Sequence, residues 1–262
     1  MASPGVGPLV KEWRTRRRRS QMELAHEIGV SPRHLSFVET GRAKPSPELV
    51  LALAEGLEVP LRERNTLLLA AGYAPRYAER SLEDPTMETV RASLERMLAA
   101  HDPFPGVVID RAWNVVLANA AAATLVDGLP DHVLGPTLNV YRVCLHPDGL
   151  AARTRNLAEW ADYLVRTLRR SVVLTGDPAL QAMLDEVRSY PNVAALVAEP
   201  ASTGWDEPPL LVPLEVTLAG QDLALFTTLT TFGTPRDVTL DELAVELFFP
   251  ADDATRAALL AT

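Results

Sequence analysis

The sequence has one cysteine, Cys144, in 262 residues. An intrachain disulfide is therefore impossible, and a disulfide-stapled secreted scaffold is excluded. Long apolar runs are absent as well: none approaches the roughly 18 residues of a membrane-spanning helix. The opening MASPGVGPLV puts no charged segment ahead of an apolar one, and the arginines at 16–19 run into polar QMELAHE, unlike an export signal. A cytoplasmic protein with no membrane partner is expected.

Catalytic signatures are scarce. There is no glycine-rich phosphate loop and no Gly-x-Ser-x-Gly elbow. Cys144, His146 and Asp148 alternate, and on a strand they would share a face able to bind a metal or pair a thiol with an imidazole. Pro147 and Gly149 favour a turn with a structural role instead. Neither an enzyme, nor a metal site, nor a resident cofactor is expected.

Positive charge is short overall, at a net −9, but it is unevenly spread. Residues 1–78 hold 12 Lys and Arg against 8 Asp and Glu, a net of +4, while residues 79–262 hold 13 against 26, a net of −13. A basic head on an acidic body fits a DNA reader joined to a domain that avoids DNA.

What is present in abundance is helix punctuation, densest over residues 20–42. Ser20 can cap a helix with Glu23 at the capping-box spacing, and Leu24, Ala25 and Ile28 then share a face. Gly29 ends that helix. Ser31 caps the next, and Pro32 sits in its first turn, where a missing N–H costs little. Leu35 and Val38 face inward. Two short helices around a glycine turn make a helix-turn-helix. The outer face of the second helix, residues 32–39, carries Arg33, Ser36 and Phe37 with His34 on its flank. Arg33 can donate two hydrogen bonds to a guanine, and Phe37 can meet a thymine methyl in the major groove. Gln21 and Ser31 stand at helix starts, where amides and N–H groups can meet phosphate, and Arg42 and Lys44 follow to hold the backbone. The arginines at 16–19 suit either phosphate contacts or a solvated helix end. Around this core, residues 9–18, 47–56 and 61–71 complete five helices, with Ser46-Pro47-Glu48 a third cap.

The string SQMELAHEIGVSPRHLSFVETGR resembles the reader of Xre-type regulators. Its continuation through AKPS and LRERNTLLLAAGYAP is similar to the MmyB-like branch, as are DPFPGVVIDRAWNVVLANAAA, HPDGLAARTRNLAEW, TGDPAL and TFGTPRDVTLDELAVELFFPAD further on. The resemblance implies an all-α five-helix helix-turn-helix domain over residues 1–78. An α+β PAS-like ligand-binding domain over 84–262 would follow, with an antiparallel sheet and an enlarged helical segment. It implies that Arg14 pairs with Glu39 and that the ligand is a small, fatty-acid-like apolar molecule. Arg19 departs from the family, which usually has an apolar residue there.

The second half supports that outline. Residues 86–100 form an amphipathic helix, serving either as a dimer seam or as packing on its own domain. GVVID and NVVLA read as a hairpin with a loop longer than two residues, followed by a helix capped by Asn119. Helices are expected over 152–169 and from Pro178 to about Tyr190, and a loop over 192–208. Strands are expected over 210–218 and 223–232, joined by a type II′ turn at Gly220-Gln221, and over 243–249, with a last helix over 253–261.

For a carboxylate head on an apolar ligand, Arg142 is the first candidate donor and His146 the second. Trp160, Thr228 and Thr230 are candidate wall residues. The expected protein is a sequence-specific transcriptional regulator, a homodimer on a double-stranded operator, whose C-terminal domain senses the ligand. In the alternative reading that domain is a ligand-free dimerisation or protein-interaction module.

Overall fold

The computed structural model describes residues 5–198 and 210–261. The chain divides into two compact units, one formed by residues 1–81 and 233–241, the other by 82–232 and 242–262.

In the first unit, α1 (Val6–Arg16) leads into α2 (Gln21–Glu27) and α3 (Pro32–Glu39), then α4 (Pro47–Gly56) and α5 (Leu61–Ala70). Leu24, Leu35, Leu53, Leu57 and Val10 are fully or almost fully buried among them. Each such leucine contributes about 2 kcal/mol of burial. The caps fall at Ser20, Ser31 and Ser46, and Ser20 and Glu23 form the reciprocal capping box. Helix α1 starts earlier than its apolar pattern suggests, with Val6 and Gly7 already buried, and stops earlier, ahead of Arg18 in a left-handed conformation (φ 54°). Gly7 sits where a Cβ would lie 2.3 Å from the Val38 carbonyl oxygen, so its lack of a side chain lets α1 reach the end of α3. Within the same unit, Asp241 accepts from the Leu61 N–H at the start of α5, where Pro60 has no side-chain cap, and Asp237 accepts from Arg80.

The second unit opens with α6 (Glu88–His101), then the hairpin β1 (Gly106–Ile109) and β2 (Val115–Ala118). A helical block follows: α7 (Ala120–Leu125), α8 (Asp131–Leu134), α9 (Val140–Leu145), α10 (Leu157–Thr175), α11 (Pro178–Ser189) and α12 (Pro191–Ala198). Then come β3 (Leu214–Leu218), β4 (Gln221–Thr231), β5 (Ala244–Pro250) and α14 (Asp253–Leu260); α13 (Val238–Glu242), between β4 and β5 in the chain, belongs to the first unit up to Asp241. The strands form one antiparallel sheet in the order β2-β1-β5-β4-β3. Asn119 ties the hairpin together: its Oδ1 accepts from Gly106 and Ala122, and its Nδ2 donates to the Leu98 and Phe104 carbonyls.

Register separates the two faces of the sheet. Val107, Leu229 and Glu246 align on one face, and Gly106, Thr228 and Leu247 on the other. The first face carries the buried Leu214, Val216, Leu223, Leu225 and Phe248 and packs on the helical block. The second is covered in part by α6, whose Leu98 would touch a Cβ at Gly106. Leu94 and Leu98 of α6 are buried in this way, so the helix packs on its own unit.

Four expectations need correction. Residues 192–198 are helical rather than loop, since α12 starts directly at Pro191; the rest of that expected loop, 199–208, lies outside the described residues. The strand drawn from 210 begins at Leu214, after Pro213, which has no N–H to give a ladder; Leu210 is fully exposed. Leu218 pairs with Gln221, so the turn residues are Ala219 and Gly220, both at positive φ, a type I′ turn. Helix α10 starts later and ends later than read, at Thr175, where Gly176 (φ 67°) stops it.

Candidate DNA-binding surface and interior site

Helices α2 and α3 are joined by a turn in which Gly29 takes φ 73°, a conformation a side chain would strain. The Ser31 hydroxyl is committed to the cap, accepting from the His34 N–H at 3.1 Å. Arg33 is exposed, and Ser36 and His34 are half-exposed beside it. Phe37 is half-buried rather than solvated. Its ring lies beneath the guanidinium groups of Arg33 (5.4 Å) and Arg42 (6.0 Å). Lys44 is seated over the Tyr73 ring, and Tyr73 donates to the Pro45 carbonyl. Among the described residues, Arg33, Arg42 and Lys44 have no carboxylate partner. They form a cationic surface whose aromatic bases hold the side chains in place.

Arg14 donates to both oxygens of Glu39, at 2.6 and 3.0 Å. Gln21 donates to the same carboxylate at 2.7 Å, so its amide nitrogen is turned into the unit rather than outward. Burial works against the Glu39 charge, but the hydrogen bonds from Arg14 and Gln21 win and hold its carboxyl below the ordinary range. The arginine run is largely engaged within the unit. Arg16 pairs with Glu12, Arg17 donates to the Leu57 and Glu58 carbonyls, and Arg19 pairs with Glu27.

In the second unit the expected ligand residues do not gather in one place. Arg142 is not an available donor: its guanidinium grips Glu186 at 2.7 and 2.9 Å, and Tyr190 donates to Glu186 at 2.6 Å. The Arg142 hydrogen bonds in turn hold the Glu186 carboxyl low. His146 is half-buried, edge-on to the Tyr190 ring. Thr228 and Thr230 are exposed, on the sheet face opposite the helical block; Thr227 is the inward threonine. Trp160 alone of the five lies in the interior, 5% exposed.

Among the described residues, Trp160 Nε1, Tyr141 Oη and Glu246 Oε2 are buried polar atoms without a hydrogen-bond partner. Tyr141 and Cys144 both feel the Glu246 charge, and the indole N–H lies beside the Cys144 sulfur without making a well-formed hydrogen bond. Burial pushes the Glu246 carboxyl up to about 7, with the Thr227 hydroxyl opposing. The same burial raises the Tyr141 phenol and pushes the Cys144 thiol up to about 12, the reverse of what a nucleophile needs. The Cys-x-His-x-Asp triplet is therefore divided, with Cys144 in the core and Asp148 exposed. Sequence reading missed Tyr141 and Glu246. The signal for Glu246 was a carboxylate alternating in step with Ala244 and Phe248 on an otherwise apolar strand face.

Comparison with known proteins bears on both units. Residues 10–64 match a helix-turn-helix family, and residues 90–261 match the family described as the MmyB-like transcription regulator ligand binding domain. Uncharacterized HTH-type transcriptional regulators of Mycobacterium bovis and of Mycobacterium tuberculosis are each 27% identical over 172 residues, 66% of this chain. The match spans 57% of those relatives' own length. No helix among the described residues is long and apolar enough to cross a membrane.

Proposed function

The chain belongs to the MmyB-like transcription regulators, and on that premise we propose that it is a sequence-specific DNA-binding regulator whose C-terminal unit binds a small, fatty-acid-like ligand. The observation that carries the DNA reading is the capped recognition helix α3 with Arg33 on it and Arg42 and Lys44 just after it, none of them paired with a carboxylate among the described residues. Arg33 reads a base edge, Phe37 meets an apolar one, and Ser36 and His34 flank them. Arg42, Lys44 and the start of α2 hold the backbone. Two copies on two half-sites would double that contact and fix the spacing.

The ligand reading rests on the interior of the second unit. The order β2-β1-β5-β4-β3 supports a PAS-like sheet. Its helix-facing side is walled by leucine, valine and phenylalanine. Tyr141 Oη, Trp160 Nε1 and a carboxyl of Glu246 that is half-protonated near neutrality offer hydrogen-bond donors to a polar head within that apolar wall. These groups replace Arg142 and His146 as the expected anchor.

Two experiments test the two halves. Selection from random duplex DNA should return one sequence with two related half-sites; recovery of unrelated sequences would defeat the DNA reading. Solvent extraction of freshly purified protein, followed by mass spectrometry, should return an apolar molecule in proportion to protein. A blank extract, together with no thermal shift on adding fatty acids of any length, would instead favour a ligand-free interaction module.

A further inference from the structure

A second cluster of ionisable groups lies on the outside of the same unit, away from the interior polar atoms. Helix α8 carries His132, and the turn that follows α9 carries His146 and Asp148. Each offers one ligand atom, and those atoms all lie within 4.8 Å of one another. His132 Nε2 is 2.9 Å from Asp148 Oδ2, although the two residues are 16 apart in the chain. The backbone N–H of Asp148 donates to His146 Nδ1 at 3.0 Å. The two imidazoles meet edge to face at 5.2 Å, and His146 meets Tyr190 in the same way at 4.9 Å.

The supports under these groups are rigid while their heads face solvent. Val133, next to His132, and Leu145, next to His146, are completely buried. Gly149 closes the turn so tightly that a Cβ there would lie 2.4 Å from the Val143 carbonyl oxygen. Behind His146, Tyr190 is fixed by Glu186, and Glu186 by Arg142. Side chains of His132 and Asp148 remain 58% and 60% exposed.

We propose that His132, His146 and Asp148 bind a divalent transition metal of the zinc class. Two imidazoles and one carboxylate suit zinc and exclude a site built for magnesium or calcium, which take oxygen ligands. Tetrahedral zinc holds neighbouring ligand atoms about 3.4 Å apart at bond lengths near 2.1 Å. The three ligand atoms, all within 4.8 Å of one another, lie close to that spacing, and a bound metal would replace the hydrogen bonds among the three groups, with water taking the fourth position. The bound ion clips α8 to the turn after α9. An exposed His–Asp hydrogen bond would account for the contact between His132 and Asp148. It does not account for the second imidazole, held in place by Tyr190 and brought against the first.

The test uses the full chain, stripped of metal with a chelator and titrated with zinc chloride in a calorimeter. One equivalent should bind per chain. His132→Ala and Asp148→Asn, both at exposed positions, should each weaken that binding at least tenfold. His146→Ala is less clean, because it also removes packing on Tyr190. Cobalt(II) gives an independent reading: wild type should develop the visible bands of a low-symmetry four-coordinate site, and His132→Ala should not. Failure of wild type to bind an equivalent of zinc would overturn the proposal. So would unchanged binding in both variants, which would assign the metal to other histidines such as His26.

Discussion

The guanidinium of Arg14 on α1 grips the carboxylate of Glu39 at the end of α3, 25 residues away, through hydrogen bonds of 2.6 and 3.0 Å. Only 1% of the Glu39 side chain is exposed. This pair fixes where the recognition helix ends relative to the first helix. Arg14→Met should therefore leave a buried carboxylate without its main partner and cost about 3 kcal/mol, seen as a lower urea midpoint. The folded state holds the Glu39 carboxyl below its ordinary range, so the pair's contribution is present above that range and disappears as pH falls through the lowered value. The gap between wild type and variant should accordingly narrow in acid. A gap that is constant with pH would mean that lost packing, not lost charge pairing, is responsible.

Gly7 serves the same junction. Adding one methyl group would bring carbon to 2.3 Å from the Val38 oxygen and 2.7 Å from the Glu39 oxygen, both backbone atoms that cannot rotate away. Gly7→Ala should destabilise the first unit by roughly 3 kcal/mol, despite the better helix propensity of alanine. A neutral or stabilising result in thermal melts would show that α1 can slide without penalty.

The reader was largely legible because its determinants are local. A capping serine three residues before its N–H partner, proline in a first turn and glycine at positive φ are all readable in order. Even the Arg14–Glu39 pair was implied by the family resemblance. The interior site was not legible, because its members arrive from α9, α10 and β5 and meet only through folding. Arg142 was chosen for its charge, yet one helical position decides the matter. Arg142 turns toward Glu186, while neighbouring Tyr141 is fully buried. The threonines of β4 failed for a similar reason, since a period of two puts Thr228 and Thr230 on the opposite face from Thr227. The positions of Arg33 and Arg42 were foreseen, but not that they share the Phe37 ring.

That shared ring separates two kinds of DNA contact. Arg33→Ala should lose discrimination at one base pair, by about 1–3 kcal/mol, with little change at the others. Arg42→Ala should weaken binding to all sequences alike and reduce the slope of log K against log salt by about 1. Fluorescence anisotropy on a set of single-base operator variants at several salt concentrations reads both. If Arg33→Ala weakens all sequences equally, then the base-reading role passes to another residue of α3.

Tyr141 sets stability against ligand binding. Its hydroxyl is buried with no partner among the described residues, a state that costs about 1–3 kcal/mol relative to a satisfied or absent hydroxyl. Tyr141→Phe keeps the ring against Trp113 and should raise the stability of ligand-stripped protein by about 1 kcal/mol. The same variant should retain less of any co-purifying apolar molecule. A variant that is less stable than wild type would show that the hydroxyl already has a structural bond, and would remove it from the proposed anchor.

Glu246 gives the second unit a pH dependence of its own. Burial raises its carboxyl from the ordinary 4.5 to about 7. Between those values the folded chain holds a proton that the unfolded chain has released, so stability falls as pH rises and levels off above the higher value. The whole loss is on the order of 3 kcal/mol. Glu246→Gln cannot ionise and should escape it. Urea unfolding of ligand-stripped protein should therefore give a difference between variant and wild type that grows in the variant's favour from pH 5 to pH 8. If the two curves run parallel across that interval, the carboxylate has a counter-charge or water access that the buried position hides. A donor-rich interior would then not be the feature that holds the head of an apolar ligand.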